Sequence, residues 1–234
     1  PEVTITKLGY PEAGELEMMR SVRIAVHPQA RRRGIGTRLV DEVHEAYDPD
    51  LFGTLFGATP GLLAFRRSLG YEVVRMGASR GLRTGEPSVT MMRPVSRAAR
   101  DLFDQLRVDF ARKLPGQITL MDAGDGLPLD PDLRDALLLG LPEAEPLSEG
   151  EMLDHVYHYA FGPRTYMSAA FAVEPYVAAR ADRLGDLEPT HRALIEARVL
   201  DHRSWPQVAR AADLPSVRAA MRGLRRAVRA LVEP

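Results

Sequence analysis

The segment Arg31-Arg-Arg-Gly-Ile-Gly36 holds the residues of this sequence that are best suited to binding a phosphorylated ligand. Arginine guanidinium groups bind phosphate oxygens through paired, charge-assisted hydrogen bonds. Glycine lets a ligand approach the backbone closely, because it has no Cβ atom. A short glycine segment also forms ordinary turns, so the flanking elements decide between a phosphate loop and a simple turn.

This glycine loop lies between a strand pattern and a helix pattern. Residues 21–26 alternate with a period of two, which predicts a strand that ends at Pro28. Apolar residues at helical spacing then predict a helix over 35–47. These apolar residues are Ile35, Leu39, Val40 and Val43. The helix therefore begins at the glycines, where its unpaired N–H groups and its dipole favour a phosphate or pyrophosphate.

Several other classes of site are excluded by the sequence. A dinucleotide-binding fingerprint needs a third glycine and a later acidic residue, which this loop lacks. A Walker A loop needs Gly-Lys-Ser/Thr, which occurs nowhere in the chain. The chain has no cysteine, so disulfides, thiolate metal sites and a covalent acyl-cysteine intermediate are excluded. No further set of ligands accompanies His155 and His158, and no metal site is expected.

The chain has 234 residues, of which 45% are hydrophobic, so it can form one or two domains with a buried core. Its net charge of −1 gives no global attraction to nucleic acid or to a membrane, so such a contact needs a local patch. The sequence has no signal peptide and no run of eighteen apolar residues. These features predict a cytoplasmic protein without a membrane partner.

The elements after the first helix alternate between strands and helices. The sequence predicts a strand over 51–56, a helix from Pro60 that Gly70 ends, and a strand over 72–76. A Gly-rich loop over 77–86 and a last strand over 88–92 follow. The order of these elements indicates an α/β domain.

Four segments in this order resemble the acetyltransferase domain of the tRNA(Met) cytidine acetyltransferases. They are Arg23-Ile-Ala-Val-His-Pro28, the glycine loop up to Gly36, Leu55-Phe-Gly-Ala-Thr59, and Leu69-Gly-Tyr71 with Val74-Arg-Met-Gly77. The resemblance covers residues 15–95 well and the rest loosely. It implies the C-terminal part of a GCN5-related N-acetyltransferase fold, a mixed sheet with flanking helices, followed by an all-α tail. The implied domains are 1–95 and 96–234, and the N-terminal half of the fold is expected to lie outside this sequence.

The resemblance also implies a reaction and its partners. The family transfers an acetyl group from acetyl-CoA to N4 of the wobble cytidine of elongator tRNA(Met), forming N4-acetylcytidine. ATP with Mg²⁺ is expected only in the helicase-like part of the family that precedes this domain. The implied partners are therefore tRNA and the remainder of the same polypeptide.

By position, the resemblance assigns two groups of residues to acetyl-CoA. The backbone of Ile24, Ala25 and Val26 matches the strand residues that pair with the pantetheine arm. The pyrophosphate loop matches Arg31, Arg32, Arg33, Gly34, Ile35, Gly36 and Thr37. The family also carries an acidic and a basic residue in the helix after the second strand. Here Gly61 and Ser68 occupy those positions, and Arg67 is one position away from the basic one.

His27 follows the predicted strand at the mouth of this site and is the candidate catalytic residue, since an imidazole ring can accept and donate a proton. It also fits an ordinary loop histidine that is hydrogen-bonded to backbone. By analogy with the superfamily, the backbone N–H of Ala25 or Val26 is a candidate oxyanion donor. Glu86 and Ser88 lie beside the last strand and receive no clear role.

The residues from Arg97 onward predict helices. A first helix is expected to stop at Pro115–Gly116 and to be followed by an irregular connection over 115–131. Further helices are expected over 132–140, 148–161, 164–184 and 189–202. Residues 203–232 resemble a helix-turn-helix whose last helix is capped by Ser216.

That last helix carries a stripe of arginines, Arg218, Arg222, Arg225 and Arg229, beside an apolar face. The stripe is either a solvated flank of a packed helix or a set of RNA phosphate contacts, which would position RNA without reading its sequence. Two alternatives to the tRNA enzyme therefore stay open. One is an acetyltransferase for a protein or small-molecule amine, and the other is a catalytically weak RNA-binding module.

Overall fold

The computed structural model describes residues 10–80, 85–123 and 128–233. The chain divides into two compact units. The first comprises Pro1–Ala111 with Pro131–Glu143, and the second comprises Arg112–Asp130 with Ala144–Pro234. The division lies inside a long helix, whereas the sequence places the domain boundary at residue 95.

The first unit contains a mixed four-stranded sheet in the order β1-β2-β4-β3. Its strands are β1 (Met18–Ser21), β2 (Leu51–Gly57), β3 (Glu72–Arg80) and β4 (Pro87–Pro94). Strand β1 is parallel to β2, whereas β4 is antiparallel to both β2 and β3. The predicted fold class, a mixed sheet with flanking helices followed by a helical region, is confirmed.

Within the described residues, four helices accompany this sheet: α1 (Ile35–Ala46), α2 (Pro60–Arg67), the first part of α3 (Arg97–Asp122), and α4 (Pro131–Leu138). One face of the sheet packs against α3. That core contains Leu51, Val74 and Met92 from the sheet and Ala99, Leu102 and Leu106 from α3. On α1, Val40 is buried, whereas the other apolar residues of its predicted face, Ile35, Leu39 and Val43, are exposed.

The ends of α2 follow directly from its sequence. Thr59 caps the first turn, because its hydroxyl accepts a hydrogen bond from the Leu62 amide at 3.3 Å. Gly70 has a φ of +81°, a conformation that glycine adopts without strain. This turn lets the Tyr71 amide donate to the Arg66 carbonyl at 3.1 Å. The predicted helix end at Gly70 is confirmed.

The strand predicted over 21–26 is wrong in position, because β1 ends at Ser21. A strand needs a neighbour to pair with, and residues 22–26 make no backbone-to-backbone hydrogen bond with another described residue. Val22 is accordingly 76% exposed. The loop predicted over 77–86 is also partly wrong, since β3 continues to Arg80; residues 81–84 lie outside the described part of the chain.

The second unit is helical within the described ranges. After the end of α3 it contains α5 (Glu149–Ala160), α6 (Tyr166–Ala178), α7 (Pro189–Ile195), α8 (Trp205–Ala211) and α9 (Val217–Val232). A π-helical turn, Glu196–Leu200, follows α7, and a 3₁₀ turn, Ala181–Asp186, follows α6. Helix α9 contributes Ala220, Leu224, Ala227, Val228 and Leu231 to the core, whereas Met221 is 42% exposed.

Helix α3 does not stop at Pro115, where the sequence predicts its end, but continues to Asp122. A proline inside a helix costs about 3 kcal/mol, because it removes one hydrogen bond and crowds the preceding turn. Beyond Pro115, Ile118, Leu120 and Met121 are buried. Burying one such side chain stabilises by about 1.5–3 kcal/mol, so the three together outweigh the proline.

No helix in the described ranges is long and apolar enough to span a membrane. Ser216 caps α9 as predicted, since its hydroxyl accepts a hydrogen bond from the Ala219 amide at 3.2 Å.

Candidate functional site

Strand β1 is at the edge of the sheet, and its pairing with β2 ends before β2 does. Their last register pair is Ser21 with Thr54, although β2 continues to Gly57 and stays paired with β4 there. Residues 22–26, which we call the unpaired segment, therefore have backbone N–H and C=O groups that make no hydrogen bond to another described stretch of backbone. A free strand edge of this kind binds extended ligands through main-chain hydrogen bonds. The predicted pantetheine-binding residues Ile24, Ala25 and Val26 all lie in it.

The glycine loop connects this segment to α1. It begins with a 3₁₀ turn, Pro28–Ala30, and both Arg32 and Gly34 have positive φ angles, of 61° and 74°. Arg31 Nε donates to the Val26 carbonyl at 3.2 Å and ties the loop back to the unpaired segment. The loop is a defined turn, and Arg31, Arg32 and Arg33 are all exposed on it.

The N-terminus of α1 is open to an anion. Gly34 is its N-cap and provides no side-chain cap, and the first turn contains no acidic residue. The amides of Ile35, Gly36 and Thr37 have no hydrogen-bond acceptor among the described residues. Free N–H groups at the positive end of a twelve-residue helix favour phosphate or pyrophosphate.

The unpaired segment, the start of α1 and helix α2 meet at Gly36. A Cβ atom built on Gly36 would lie 3.6 Å from Val26 Cγ2 and 3.6 Å from Cζ of Phe65, which belongs to α2. The two predicted groups of cofactor-binding residues are therefore adjacent in space. The order strand, glycine loop and helix is the sequence signal that indicates this arrangement.

His27 is an exposed residue at the start of the loop. Its Nδ1 atom accepts a hydrogen bond from the Gln29 amide at 3.4 Å and so caps the 3₁₀ turn. This contact agrees with the loop-histidine interpretation, and a catalytic role stays a prediction. Ser88 lies in β4 opposite Gly57, and Glu86 directly precedes that strand.

Arg67, one position away from the family's basic residue, is hydrogen-bonded within the first unit. Its Nε donates to Glu72 at 3.0 Å, and its two terminal nitrogens donate to the carbonyls of Ala136 at 2.6 Å and Leu139 at 3.1 Å. The guanidinium is therefore committed to the structure around α4. Ser68 is exposed and donates to the Phe65 carbonyl at 2.8 Å, and no atom lies within 4 Å of a Cβ built on Gly61.

The structure adds one residue that the sequence does not indicate, Arg66. It is 5% exposed and its Nη2 atom donates to Ser21 Oγ at 3.0 Å. Burial lowers the pKa of Arg66, and none of the described carboxylates forms an ion pair with it. Two basic residues at the end of a helix are typical of a solvated C-terminus, so nothing in the sequence marks one of them as buried.

Arg66 is part of a polar cluster on the face of the sheet that carries α1 and α2. Its guanidinium lies 5.3 Å from the Tyr71 ring centroid, and the Tyr71 hydroxyl is 3.0 Å from His44 Nε2. Burial, and then the charge of Arg93, lower the pKa of His44, while Asp41 raises it. Burial raises the pKa of Tyr71. Near neutral pH this cluster therefore favours a neutral histidine beside the buried guanidinium.

The four arginines predicted to bind RNA are placed differently from one another. Arg218 and Arg222 are exposed and make no hydrogen bond or ion pair with another described residue. Arg229 is exposed, lies 3.2 Å from a Glu233 carboxylate oxygen and stacks 4.3 Å from the Phe161 ring centroid. These three residues are accessible to a ligand.

The guanidinium of Arg225 is hydrogen-bonded to backbone carbonyls inside the second unit. Its Nη1 atom donates to the carbonyls of Tyr159 and Gly162, and its Nη2 atom donates to the Arg164 carbonyl at 2.5 Å. The guanidinium also lies 4.9 Å from the Tyr159 ring centroid. Arg225 therefore holds the chain that follows α5, and it is not part of an exposed stripe.

An open depression of about 460 Å³ lies beside α8 and is lined by Arg203, Gln207, Arg210 and Ala211. Gln207 Oε1 accepts from the Ser204 amide at 2.9 Å and from its hydroxyl at 3.0 Å, which leaves the amide NH₂ of Gln207 as a donor. One nitrogen of Arg203 contacts Asp201 at 2.7 Å. The depression adds cationic surface beside α8.

The sequence of this chain is similar to those of several curated proteins along its whole length. The tRNA(Met) cytidine acetyltransferase TmcA of Haloferax volcanii is 34% identical over an alignment that covers 100% of this chain and 31% of that protein. The enzyme of the same name from Nitrosococcus halophilus is 34% identical, with coverages of 99% and 32%. The one from Vibrio cholerae is 27% identical, with coverages of 99% and 31%. No protein-family profile matches the chain. The resemblance predicted from the sequence is confirmed. The chain spans about a third of the length of the curated relatives it matches. Over its own whole length it is a relative of the tRNA(Met) cytidine acetyltransferases.

Proposed function

We propose that this chain binds acetyl-CoA and forms the acetyl-transferring part of an enzyme that modifies N4 of the wobble cytidine of elongator tRNA(Met). The observation that carries the proposal is the parting of β1 and β2 directly beside the uncapped, arginine-flanked N-terminus of α1. The names of the relatives, which are tRNA(Met) cytidine acetyltransferases, support the same reaction.

Each end of acetyl-CoA fits a different part of this arrangement. The pyrophosphate suits the free amides of residues 35–37 and the three loop arginines. The pantetheine amides suit the backbone groups of Ile24, Ala25 and Val26, which have no backbone partner among the described residues. When bound, acetyl-CoA supplies an activated acyl group. We assign to the Ala25 or Val26 amide the stabilisation of developing negative charge, and to His27 the transfer of a proton at its ring nitrogen.

The remaining parts of the proposed activity concern the whole protein. ATP with Mg²⁺ and a helicase-like region are assigned to the part of the relatives that the chain does not match. Arg218, Arg222 and Arg229, with the depression near Arg203 and Arg210, are proposed to contact tRNA phosphates. The chain's lack of strong net charge makes such a local cationic surface necessary.

The direct test is to incubate the natural full-length protein with tRNA(Met), acetyl-CoA and ATP, and then to analyse the nucleosides by mass spectrometry. We expect N4-acetylcytidine at the wobble position. Its absence, with acetyl-CoA binding intact, would favour an acetyltransferase for a protein or small-molecule amine. Calorimetry that detects no acetyl-CoA binding would favour a catalytically weak RNA-binding module.

The engagement of Arg67 and the absence of an acid at position 61 are the observations that favour a weak acetyl-CoA site. Changing Gly61→Glu is expected to tighten acetyl-CoA binding about threefold to tenfold by restoring the acidic residue of the family. The side chain has room, and an acidic residue in the first helical turn is stabilising by about 0.3–1 kcal/mol.

The matched control for this substitution is Gly150→Glu, since Gly150 occupies the equivalent position in the first turn of α5 and also has open space. Calorimetric titration of acetyl-CoA into both variants measures the change. Equal affinities of the two variants would show that position 61 does not contribute to the cofactor site.

Reversing two charges, Arg218→Glu with Arg222→Glu, is expected to weaken tRNA binding at least tenfold and to leave acetyl-CoA binding unchanged. Each lost phosphate contact also lowers the salt dependence of log K by about one unit per log of salt. Fluorescence anisotropy with labelled tRNA at several salt concentrations measures both effects. The control Arg97→Glu with Arg100→Glu makes the same charge change on exposed arginines of α3. Equal tRNA affinities of the two double variants would remove Arg218 and Arg222 from the proposed interface.

A further inference from the structure

Arg66 is a buried cation whose hydrogen bonding is incomplete. Its Nη2 atom donates to Ser21 Oγ, whereas its Nη1 atom is buried without a hydrogen-bond partner. The guanidinium lies 5.7 Å from the Phe65 ring centroid and 5.3 Å from the Tyr71 ring centroid. Folded proteins pair nearly all buried donors, so an unpaired one requires an explanation.

Ser21, the hydrogen-bond partner of Arg66, lies where the pairing of β1 with β2 ends. Ser21 is the last residue of β1 that pairs with β2, and the chain leaves the sheet immediately after it. Thr54 Oγ1 donates to the Ser21 carbonyl at 3.3 Å, while Arg66 donates to the Ser21 hydroxyl at 3.0 Å. Strand β2 therefore fixes the carbonyl of Ser21, and helix α2 fixes its hydroxyl.

Helix α2 thus has neighbours at both ends of the unpaired segment. Phe65 and Val26 both lie beside Gly36, at the end near the glycine loop. Arg66, the next residue, holds Ser21 at the other end, where the two strands meet. Because of these two contacts, one turn of α2 sets where the opening between the unpaired segment and β2 begins.

We propose that Arg66 is a positioning residue that fixes Ser21 and thereby forms the closed end of the acetyl-CoA site, where the acyl end of the ligand stops. This inference rests on the proposed function. With the pyrophosphate at residues 31–37 and the pantetheine at Ile24–Val26, the acyl end points back along the chain toward Ser21. Arg66 acts through Ser21, because its own free nitrogen is covered.

Two ligands can be used to test the two ends of this site separately. Acetyl-CoA reaches both ends, whereas adenosine 3′-phosphate 5′-diphosphate, the nucleotide end of CoA without pantetheine, reaches only the glycine loop. We expect Arg66→Met to weaken acetyl-CoA binding at least tenfold and binding of the nucleotide less than twofold. Arg66→Lys, which keeps a charged donor, is expected to recover part of the acetyl-CoA affinity. Calorimetry on the natural full-length protein and on both variants, with saturating ATP in both solutions, measures the affinity of each for the two ligands.

Ser21→Ala is a second variant that removes the held hydroxyl and leaves the buried guanidinium in place. Like Arg66→Met, it is expected to weaken acetyl-CoA binding much more than binding of the nucleotide. It keeps the test informative if Arg66→Met fails to fold. Arg67→Met is the matched control, because that arginine is engaged with Glu72 and with carbonyls around α4. The control is expected to lower the thermal midpoint without changing the ratio of the two affinities.

Two results would overturn the inference. Equal weakening of both ligands in Arg66→Met and Ser21→Ala would assign Arg66 a merely structural role, and unchanged acetyl-CoA affinity would remove its role at the site. A different result bears on the proposed function itself. If the unsubstituted protein binds neither ligand, the acetyl-CoA site is wrong, and the inference is wrong with it.

Discussion

Gly36→Asp is expected to raise the dissociation constant for acetyl-CoA more than a hundredfold while leaving the fold intact. A Cβ at this position meets Val26 and Phe65 at ordinary contact distances, so the side chain fits without forcing the backbone. The new carboxylate, however, lies in the first turn of α1, where the pyrophosphate is proposed to bind. Two unit charges about 4 Å apart near a protein surface repel by about 4 kcal/mol, and a hundredfold loss needs only about 2.8 kcal/mol.

The effect of Gly36→Asp on stability has the opposite sign to its effect on binding. An acidic residue in the first turn of a helix is favourable by about 0.3–1 kcal/mol. Thermal unfolding without ligand should therefore show an unchanged or slightly higher midpoint. Gly150→Asp places the same residue at the equivalent position of α5 and should leave acetyl-CoA binding as it is. Affinity retained within threefold in Gly36→Asp would exclude the start of α1 as the pyrophosphate site.

Features of the fold that depend on local sequence are predictable, and the cofactor loop belongs to them. Gly34 and Gly70 mark the start of α1 and the end of α2, and Ser216 caps α9, because each of these signals acts within a few residues. The position of β1, by contrast, does not depend on the local sequence alone. Residues 22–26 have a strand pattern, yet β1 lies at Met18–Ser21, because pairing depends on which residues face β2.

The direction of a long side chain is the second property that the sequence does not determine. Arg66 and Arg67 are neighbours of the same type, but one is buried against Ser21 and the other binds the carbonyls around α4. Helical spacing assigns each residue to a face and says nothing about the partner on that face. The same reason explains why Arg225 is engaged, although its spacing places it in the stripe with Arg218.

Arg225→Met is expected to destabilise the second unit by about 3 kcal/mol or more. The guanidinium donates to three backbone carbonyls, those of Tyr159, Gly162 and Arg164, where the chain leaves α5. A hydrogen bond to a charged group contributes about 1.5–3 kcal/mol, and a buried carbonyl left without a donor costs about 1–3 kcal/mol. Methionine preserves the apolar stem against the Tyr159 ring, so the loss reports mainly on the hydrogen bonds.

Urea unfolding followed by circular dichroism measures this loss, and Arg226→Met is the control because Arg226 is the exposed neighbour on α9. The control should stay within about 0.5 kcal/mol of the unsubstituted protein, as surface substitutions do. Equal stability of the two variants would mean that the carbonyls after α5 do not depend on Arg225. Because Arg225 is engaged within its own unit, any loss of tRNA binding in Arg225→Met should follow the loss of folded protein. In Arg218→Glu with Arg222→Glu, by contrast, tRNA binding should weaken while the folded fraction stays the same.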